Sequence, residues 1–429
     1  MEKVNSSIGI ISAFPVGSEL WLTTFFNFCY ITYTIPIRLK LDAHKNQYVL
    51  QSSFIRTIIF RIRGFLISAQ YLIYFLVHTT TLFRSDIGVL GVIWAGFELG
   101  RIGLVLGYLT SMISSSTQIR LLELVNLIKG DKTRTLDTNK RLRVYGEVVF
   151  ISVISIIMPM YIDVNSFVTM EFKKKLQFKW YSFIELDKKK ADSVLSTADS
   201  SHDDFSWWKG VISCILVMSD IDQICMAGGS LVLFVLTGKT MEAVCIHFVS
   251  SIRDTQKFCS VSSDEIIMKF WKIRRAFAIL SCSFGMALIM LVISNGTRTC
   301  VGIIWVFRTE TASSNVINML INIAVFIYFL FLAANASNQL LIVPRLLNTL
   351  DSHHHRRNGS STCLKKIIAV HEINSGSVGL CSSGFFVVSY GFITGMLVTV
   401  MSNSAIVLQY FELLLLPQNS TTTETGSAR

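Results

Sequence analysis

Long apolar stretches alternate along the chain with polar, mostly basic segments. Seven of the stretches reach about 20 residues or more, the length at which a helix crosses about 30 Å of hydrocarbon. They run over 62 to 83, 87 to 113, 144 to 164, 207 to 237, 276 to 305, 314 to 343 and 384 to 416. A segment in lipid must satisfy its own backbone hydrogen bonds, so each is predicted as a helix. An eighth stretch, Trp21 to Ile37, is shorter, rich in Thr and Tyr and interrupted by Pro36, and is predicted as a re-entrant or interfacial helix. The pattern defines an all-α membrane protein with seven transmembrane helices.

Composition agrees. Of 429 residues, 51% are hydrophobic and only 16% charged, against roughly 25% charged in ordinary soluble domains. The formal charge of +11 would suit a nucleic-acid binder, but the basic residues flank the spans, which is ordinary membrane topology. No nucleic-acid partner is expected. The amino terminus, MEKVNSSIGI, lacks the basic, apolar and small-residue regions of a cleaved signal, so none is expected. Nine Cys are scattered without CxxC spacing, and Cys214, Cys225 and Cys282 lie inside spans as small apolar groups. Neither a disulfide framework nor a metal or other cofactor is predicted. HHHRR at 353 to 357 reads as a solvated basic loop, because three adjacent His cannot face one ion on a regular helix. No nucleophile elbow, phosphate loop, metalloprotease or kinase motif is present, so an enzyme is not expected.

Lys and Arg near the helix ends set orientation. Basic residues fill the loop after the second span (Arg120, Lys129, Lys132, Arg134, Lys140, Arg141, Arg143). The loop after the fourth carries Lys239, Arg253, Lys257, Lys269, Lys272, Arg274 and Arg275, and the loop after the sixth carries Arg345, Arg356, Arg357, Lys365 and Lys366. With Arg56, Arg61 and Arg63 before the first span, these mark the cytoplasmic side. The amino terminus is then cytoplasmic and the carboxyl terminus extracellular, the reverse of a G-protein-coupled receptor. Residues 165 to 206, of alternating charge, are placed outside because the other loops outvote them. Asn419, in NST on the outer tail, is a glycosylation acceptor.

Five regions follow. Residues 1 to 57 form a cytoplasmic segment, 58 to 343 a six-helix ligand-sensing region, and 344 to 383 a cytoplasmic loop with an anchor helix portion. Residues 384 to 416 form the seventh helix and 417 to 429 an extracellular tail.

Polar groups at bilayer depth face a protein interior or a watery cavity, because exposing them to acyl chains costs several kcal/mol. Glu98 and Arg101 stand three apart on one helix face, as an internal ion pair would. Asp220, Asp222 and Gln223 fall within the fourth span, Asp163 and Asn165 close the third, and Asn295 and Arg298 end the fifth. Asn315, Asn318 and Asn322 recur at i, i+3, i+7 on the sixth. Singly, each reads as a helix-to-helix hydrogen bond. Together, with Trp207, Trp208 and Trp305 nearby, they outline an outward-facing pocket for a small polar molecule.

The last span poses its own question, since SNSAIVLQYFELLLL sets Gln409 and Tyr410 in apolar surroundings. As one helix, 384 to 416 would extend about 50 Å, so it must protrude or break. The preceding LKKIIAVHEINSGSVGL is helix-like, and Gly376, Gly379, Gly384, Gly391 and Gly395 offer joints.

GFFVVSYGFI through SNSAIVLQYFE resembles the closing segment of the insect gustatory receptor family, whose last helix carries TYhhhhhQF, with h hydrophobic. Here Ser402 stands for Thr, Asn403 for Tyr, Gln409 is intact and Tyr410 replaces Phe. KFWKIRRAFAILSCSFGMAL at 269 to 288 resembles the family more weakly. The resemblance implies a ligand-gated cation channel of four subunits, homomeric or mixed with other gustatory receptors. The last helix of each subunit would line one pore, with Ile406, Gln409 and Tyr410 at the pore and gate. A hydrophobic ring gates by dewetting, and an adjacent amide helps solvate a passing cation.

The expected partners are a small-molecule tastant, permeating cations and the plasma membrane. The alternatives are an insect odorant receptor subunit, which the sequence separates poorly, and a G-protein-coupled receptor, whose Asp-Arg-Tyr and Asn-Pro-x-x-Tyr signatures are missing. A transporter would show repeats with paired broken helices, and none is found.

Overall fold

The computed structural model describes residues 17, 19 to 31, 35 to 42, 44 to 84, 88 to 129, 138 to 159, 161, 176 to 177, 181, 206 to 258, 263 to 307, 313 to 347 and 360 to 415. Helices dominate: α1 (Leu20–Ile31), α2 (Phe54–Arg84), α3 (Gly88–Ile113), α4 (Ser115–Ile128), α5 (Thr138–Ser152), α6 (Trp207–Phe258), α7 (Ser263–Phe307), α8 (Ser313–Leu340), α9 (Ser360–Asn374) and α10 (Tyr390–Leu415). A π-helical turn, Val153–Ile157, continues α5. Strands β1 (Ile37–Asp42) and β2 (Gln47–Ser52) form an antiparallel hairpin between α1 and α2.

The described parts of the predicted spans are helical, apart from the turn at the end of the sixth and residues 384 to 389 of the last, and several helices run past the apolar limits. Three segments among the described residues, Ile224–Arg253, Glu265–Cys300 and Met319–Leu347, are long and apolar enough to cross a membrane. α6 has 52 residues, a length of about 78 Å. Lys239, Arg253 and Lys257 therefore lie on α6, and Lys269, Lys272, Arg274 and Arg275 on α7, instead of in the connecting loop that charge alone suggested. Arg56, Arg61 and Arg63 likewise lie on α2. The reason is pairing inside the protein. Lys239 Nζ donates to Glu147 Oε2 of α5 at 2.7 Å, and Trp21 Nε1 of α1 donates to the same oxygen at 3.0 Å. A partnered charge is tolerated where a lone one would end the helix's burial.

α6 is the centre of the packing. Its residues 231 to 236 are all buried, and Phe234 lies edge-on to Phe284 of α7 and against Phe329 of α8, with ring centroids 6.1 and 5.4 Å apart. α3 meets α7 through glycines: a Cβ at Gly100 would lie 2.7 Å from Ser294 N, and one at Gly107 3.3 Å from Ala287 Cα. Small residues at such positions let two backbones approach, the usual means of tightening helix pairs.

The region expected as a helix from Trp21 to Ile37 is a helix only to Ile31. Phe25 and Phe26 of α1 are fully buried against the bundle, and past Pro36 the chain turns into β1. Ile37 and Leu39 point inward while Arg38 and Lys40 point outward, the alternation a half-buried strand requires. Asn126 of α4 holds β2 like an extra strand, its Oδ1 accepting from Tyr48 N at 2.7 Å and its Nδ2 donating to Tyr48 O at 3.1 Å.

Candidate functional site

α10 leans on the bundle by one face. Ile393, Val400 and Ser404 are buried, at spacings that share a side. Ser404 Oγ donates to Val400 O at 2.8 Å, and Cys300 Sγ of α7 approaches the same carbonyl at 3.7 Å. The rest of the helix surface, carrying Val398, Met401, Ser402, Asn403, Ile406 and Gln409, is exposed in the single chain, with Val398, Ser402, Ile406 and Gln409 farthest from the buried side. Ile406 is 60% exposed, and Gln409, three residues on, shares its side. The side chain of Tyr410 lies outside the described residues. Thr394 and Thr399 satisfy their own hydroxyls on Tyr390 O and Gly395 O at 3.0 and 2.8 Å. The outward face therefore combines apolar side chains with polar groups that need no partner from the bundle.

α10 begins at Tyr390, so residues 384 to 389 belong to a preceding hairpin and not to the helix. Val388 N donates to Leu380 O and Ser382 N to Phe386 O, both at 2.9 Å, across a turn with positive φ at Ser383 and Gly384. The hairpin seats against α7. Cys381 N donates to Ser281 Oγ at 3.0 Å, and a Cβ at Gly285 would lie 2.7 Å from Ser383 N. Ser389 Oγ then caps α10 by accepting from Phe392 N at 3.2 Å, while the Phe386 and Phe392 rings stack at 4.2 Å. Earlier in the chain, Arg274 of α7 pairs with Glu372 of α9 at 2.5 Å, and its neighbour Arg275 pairs with Glu123 of α4, also at 2.5 Å. These adjacent arginines tie α7 to two different helices. Sequence reading counted them only as topology markers.

Backbone register brings several of the polar positions on the other helices to similar heights. Gly238 faces Leu332, and Asn335 Nδ2 donates to Glu242 Oε1, so α6 and α8 run parallel. Continued toward their starts, that register brings Asp220 and Gln223 level with the stripe from Asn315 to Asn322. The antiparallel α3 and α7 contacts place Glu98 level with Gly296, beside Asn295 and Arg298. The backbones of these positions are helical. The side chains of Glu98, Asp220, Gln223, Trp305, Asn315 and Asn318 lie outside the described residues, as does Asp163 entirely. Asn322 is buried at 8% exposure. Asn295 is spent on its own helix, Nδ2 donating to Leu291 O at 2.9 Å. Asp222 is taken by Arg63 of α2, whose Nε donates to Asp222 Oδ2 at 2.8 Å. Asp222 and Asn295 thus have structural partners, and Asn322 and Arg298 are engaged as well.

The fold is a helical bundle that, among the described residues, includes segments long and apolar enough to cross a membrane. Two solved structures share it: the insect olfactory receptor OR5 from Machilis hrabei, alone and in complex with eugenol. Each superposes with a TM-score of 0.54 at 15% identity, covering 91% of this chain and 98% of that chain. The fold of this chain is that of an insect olfactory receptor. No protein-family model and no curated protein matches the sequence.

Proposed function

We propose that this chain is a gustatory-type chemoreceptor, a subunit of a non-selective cation channel in the plasma membrane that an extracellular small-molecule tastant opens. Seven helices cross the membrane in this reading, with the amino terminus inside and the carboxyl terminus outside. Four subunits, identical or mixed, bring their α10 helices around one axis. The observation that carries it is the outward face of α10. Ile406 and Gln409 stand clear of their own bundle, where four copies would supply a hydrophobic ring and a ring of amides to a water-filled path. Gln409 then meets water or its counterparts in place of lipid. The level layer of polar residues on α3, α6, α7 and α8 supplies hydrogen-bonding groups for the ligand. Opening requires that the ligand bind the open state more tightly, since equal affinity shifts nothing.

The fold shared with two olfactory receptors favours a second reading, an odorant receptor subunit. The TYhhhhhQF resemblance of the last helix supports the gustatory one. Expression in oocytes with a ligand panel tests both: current that persists with G-protein signalling blocked supports the channel, and current that vanishes with it refutes the channel. Soluble tastants against volatile odorants then separate the two receptor types.

A further inference from the structure

Where α8, α9 and α10 converge, a cavity of about 210 Å³ lies between Ser337, Asn338 and Leu341 of one segment, Ile373 and Val378 of the next, and Tyr390 at the start of α10. It exists because the chain has no side chain to fill it. α9 ends where Gly376 takes a φ of +67°, and the second residue of α10 is Gly391, at which a Cβ would meet only Ser389 Oγ, at 3.8 Å. The volume is below the roughly 300–1,000 Å³ of pockets that hold drug-sized ligands. It lies apart from the polar layer, at the opposite end of α8.

The lining selects a chemistry. No charged residue contributes to it, and the nearby Glu372 carboxylate is held by Arg274. The walls are mostly apolar, formed by Ala334, Leu340, Val378 and Val387 among others. Ser337 Oγ is engaged with Ala333 O and Val388 O at 3.2 and 3.3 Å. The Asn338 amide makes no hydrogen bond to protein among the described residues, and it borders the cavity beside the half-exposed Leu341 and Tyr390. An ion would find no countercharge here, whereas a neutral molecule with one hydroxyl can pair with the amide and lay its apolar body on the apolar walls.

We propose that this cavity is a second ligand site that takes a small neutral amphiphile of the alcohol or phenol class, its hydroxyl on the Asn338 amide and its body against Val378 and Val387. Resting on the channel reading, the site is modulatory: an occupant touches both the end of α9 and the first turn of α10, so it biases the equilibrium of the gate.

The test is photolabelling of the purified full-length chain with a benzyl alcohol carrying a diazirine, with adducts mapped by peptide mass spectrometry. Adducts on residues 337 to 341 and 387 to 391, competed by unlabelled benzyl alcohol, are the expected result. Gly391→Leu fills the cavity and abolishes them. Asn338→Leu, at an exposed position, reduces them about tenfold, the factor that about 1.4 kcal/mol of lost binding gives. Size-exclusion profiles identify any variant that fails to fold, and the other variant then decides. Uncompeted labelling spread over outward residues such as Phe54 and Phe65 overturns the site. So does a cavity that cross-links to a second copy of the chain, which shows a neighbouring subunit filling it. The labelling needs no current, so adducts in a protein that never conducts would leave the site standing and defeat the channel reading alone.

Discussion

Arg63 and Asp222 meet across α2 and α6, two opposite charges only 22% and 25% exposed. Removing one partner leaves the other desolvated and unanswered, which costs more than the pair contributes. Arg63→Ala or Asp222→Ala is therefore expected to lower stability by about 1–3 kcal/mol, and the double substitution Arg63→Met with Asp222→Leu to recover most of it. Thermal unfolding in detergent, followed by fluorescence size exclusion, reads both. Equal losses in the single and double variants would show that the pair carries no coupling.

Gln409 shares the outward side of α10 with Ile406. In the pore reading, Gln409→Ala changes cation selectivity or unitary conductance several-fold, and Ile406→Ala raises current without ligand because the dewetted ring is lost. Single-channel recording decides, and unaltered conductance and closure in both variants would remove α10 from the pore.

Arg274 and Glu372 join α7 to α9 beside the hairpin that leads into α10. Arg274 is 47% exposed, so solvent screens the pair and its contribution is small, about 0.2–1 kcal/mol. Glu372→Arg is expected to shift the ligand dose response about two- to fivefold, and the swap with Arg274→Glu to restore it. A swap that leaves the shift in place would mean the two residues act separately.

Tyr48 in β2 is held neutral, its pKa pushed up to about 12, first by burial and then by the Glu19 carboxylate. The folded chain binds this proton more tightly than the unfolded chain does. Its contribution is therefore complete below about pH 10 and is lost as pH rises through about 12. Tyr48→Phe removes that part of the alkaline loss, so melting temperatures at about pH 9 and about pH 11 should converge more in the variant than in the parent. Identical alkaline losses in the two proteins would contradict it.

Helix placement was legible because apolar stretches of spanning length leave few other solutions. Helix extent was not. Hydropathy reads Lys239 as an ending, whereas Glu147, distant in sequence and itself held by Trp21, gives it a partner and lets α6 continue. The β hairpin did carry a signal, in the alternation IRLKLD, but Pro36 drew attention to where a helix fails instead of to what replaces it. The Asx turn at Asp42, whose Oδ1 accepts from His44 N at 2.9 Å, was the second cue. Polarity marked Asp220, Gln223, Asn315, Asn318 and Asn322, but only the register of glycine and phenylalanine contacts brings their backbone positions within about two helical turns of one another. The start of α10 was misjudged by six residues, 384 against Tyr390, because Gly384 suits a turn as readily as a flexible helix joint.

α6 runs without interruption from Trp207 to Phe258. A stiff rod of about 78 Å pivoting 5° about its middle would carry each tip about 3.4 Å. In the proposed receptor such a lever would double a shift of about 1.6 Å beside the polar positions by the time it reaches the far tip, with no relay of small rearrangements needed to report that something has arrived.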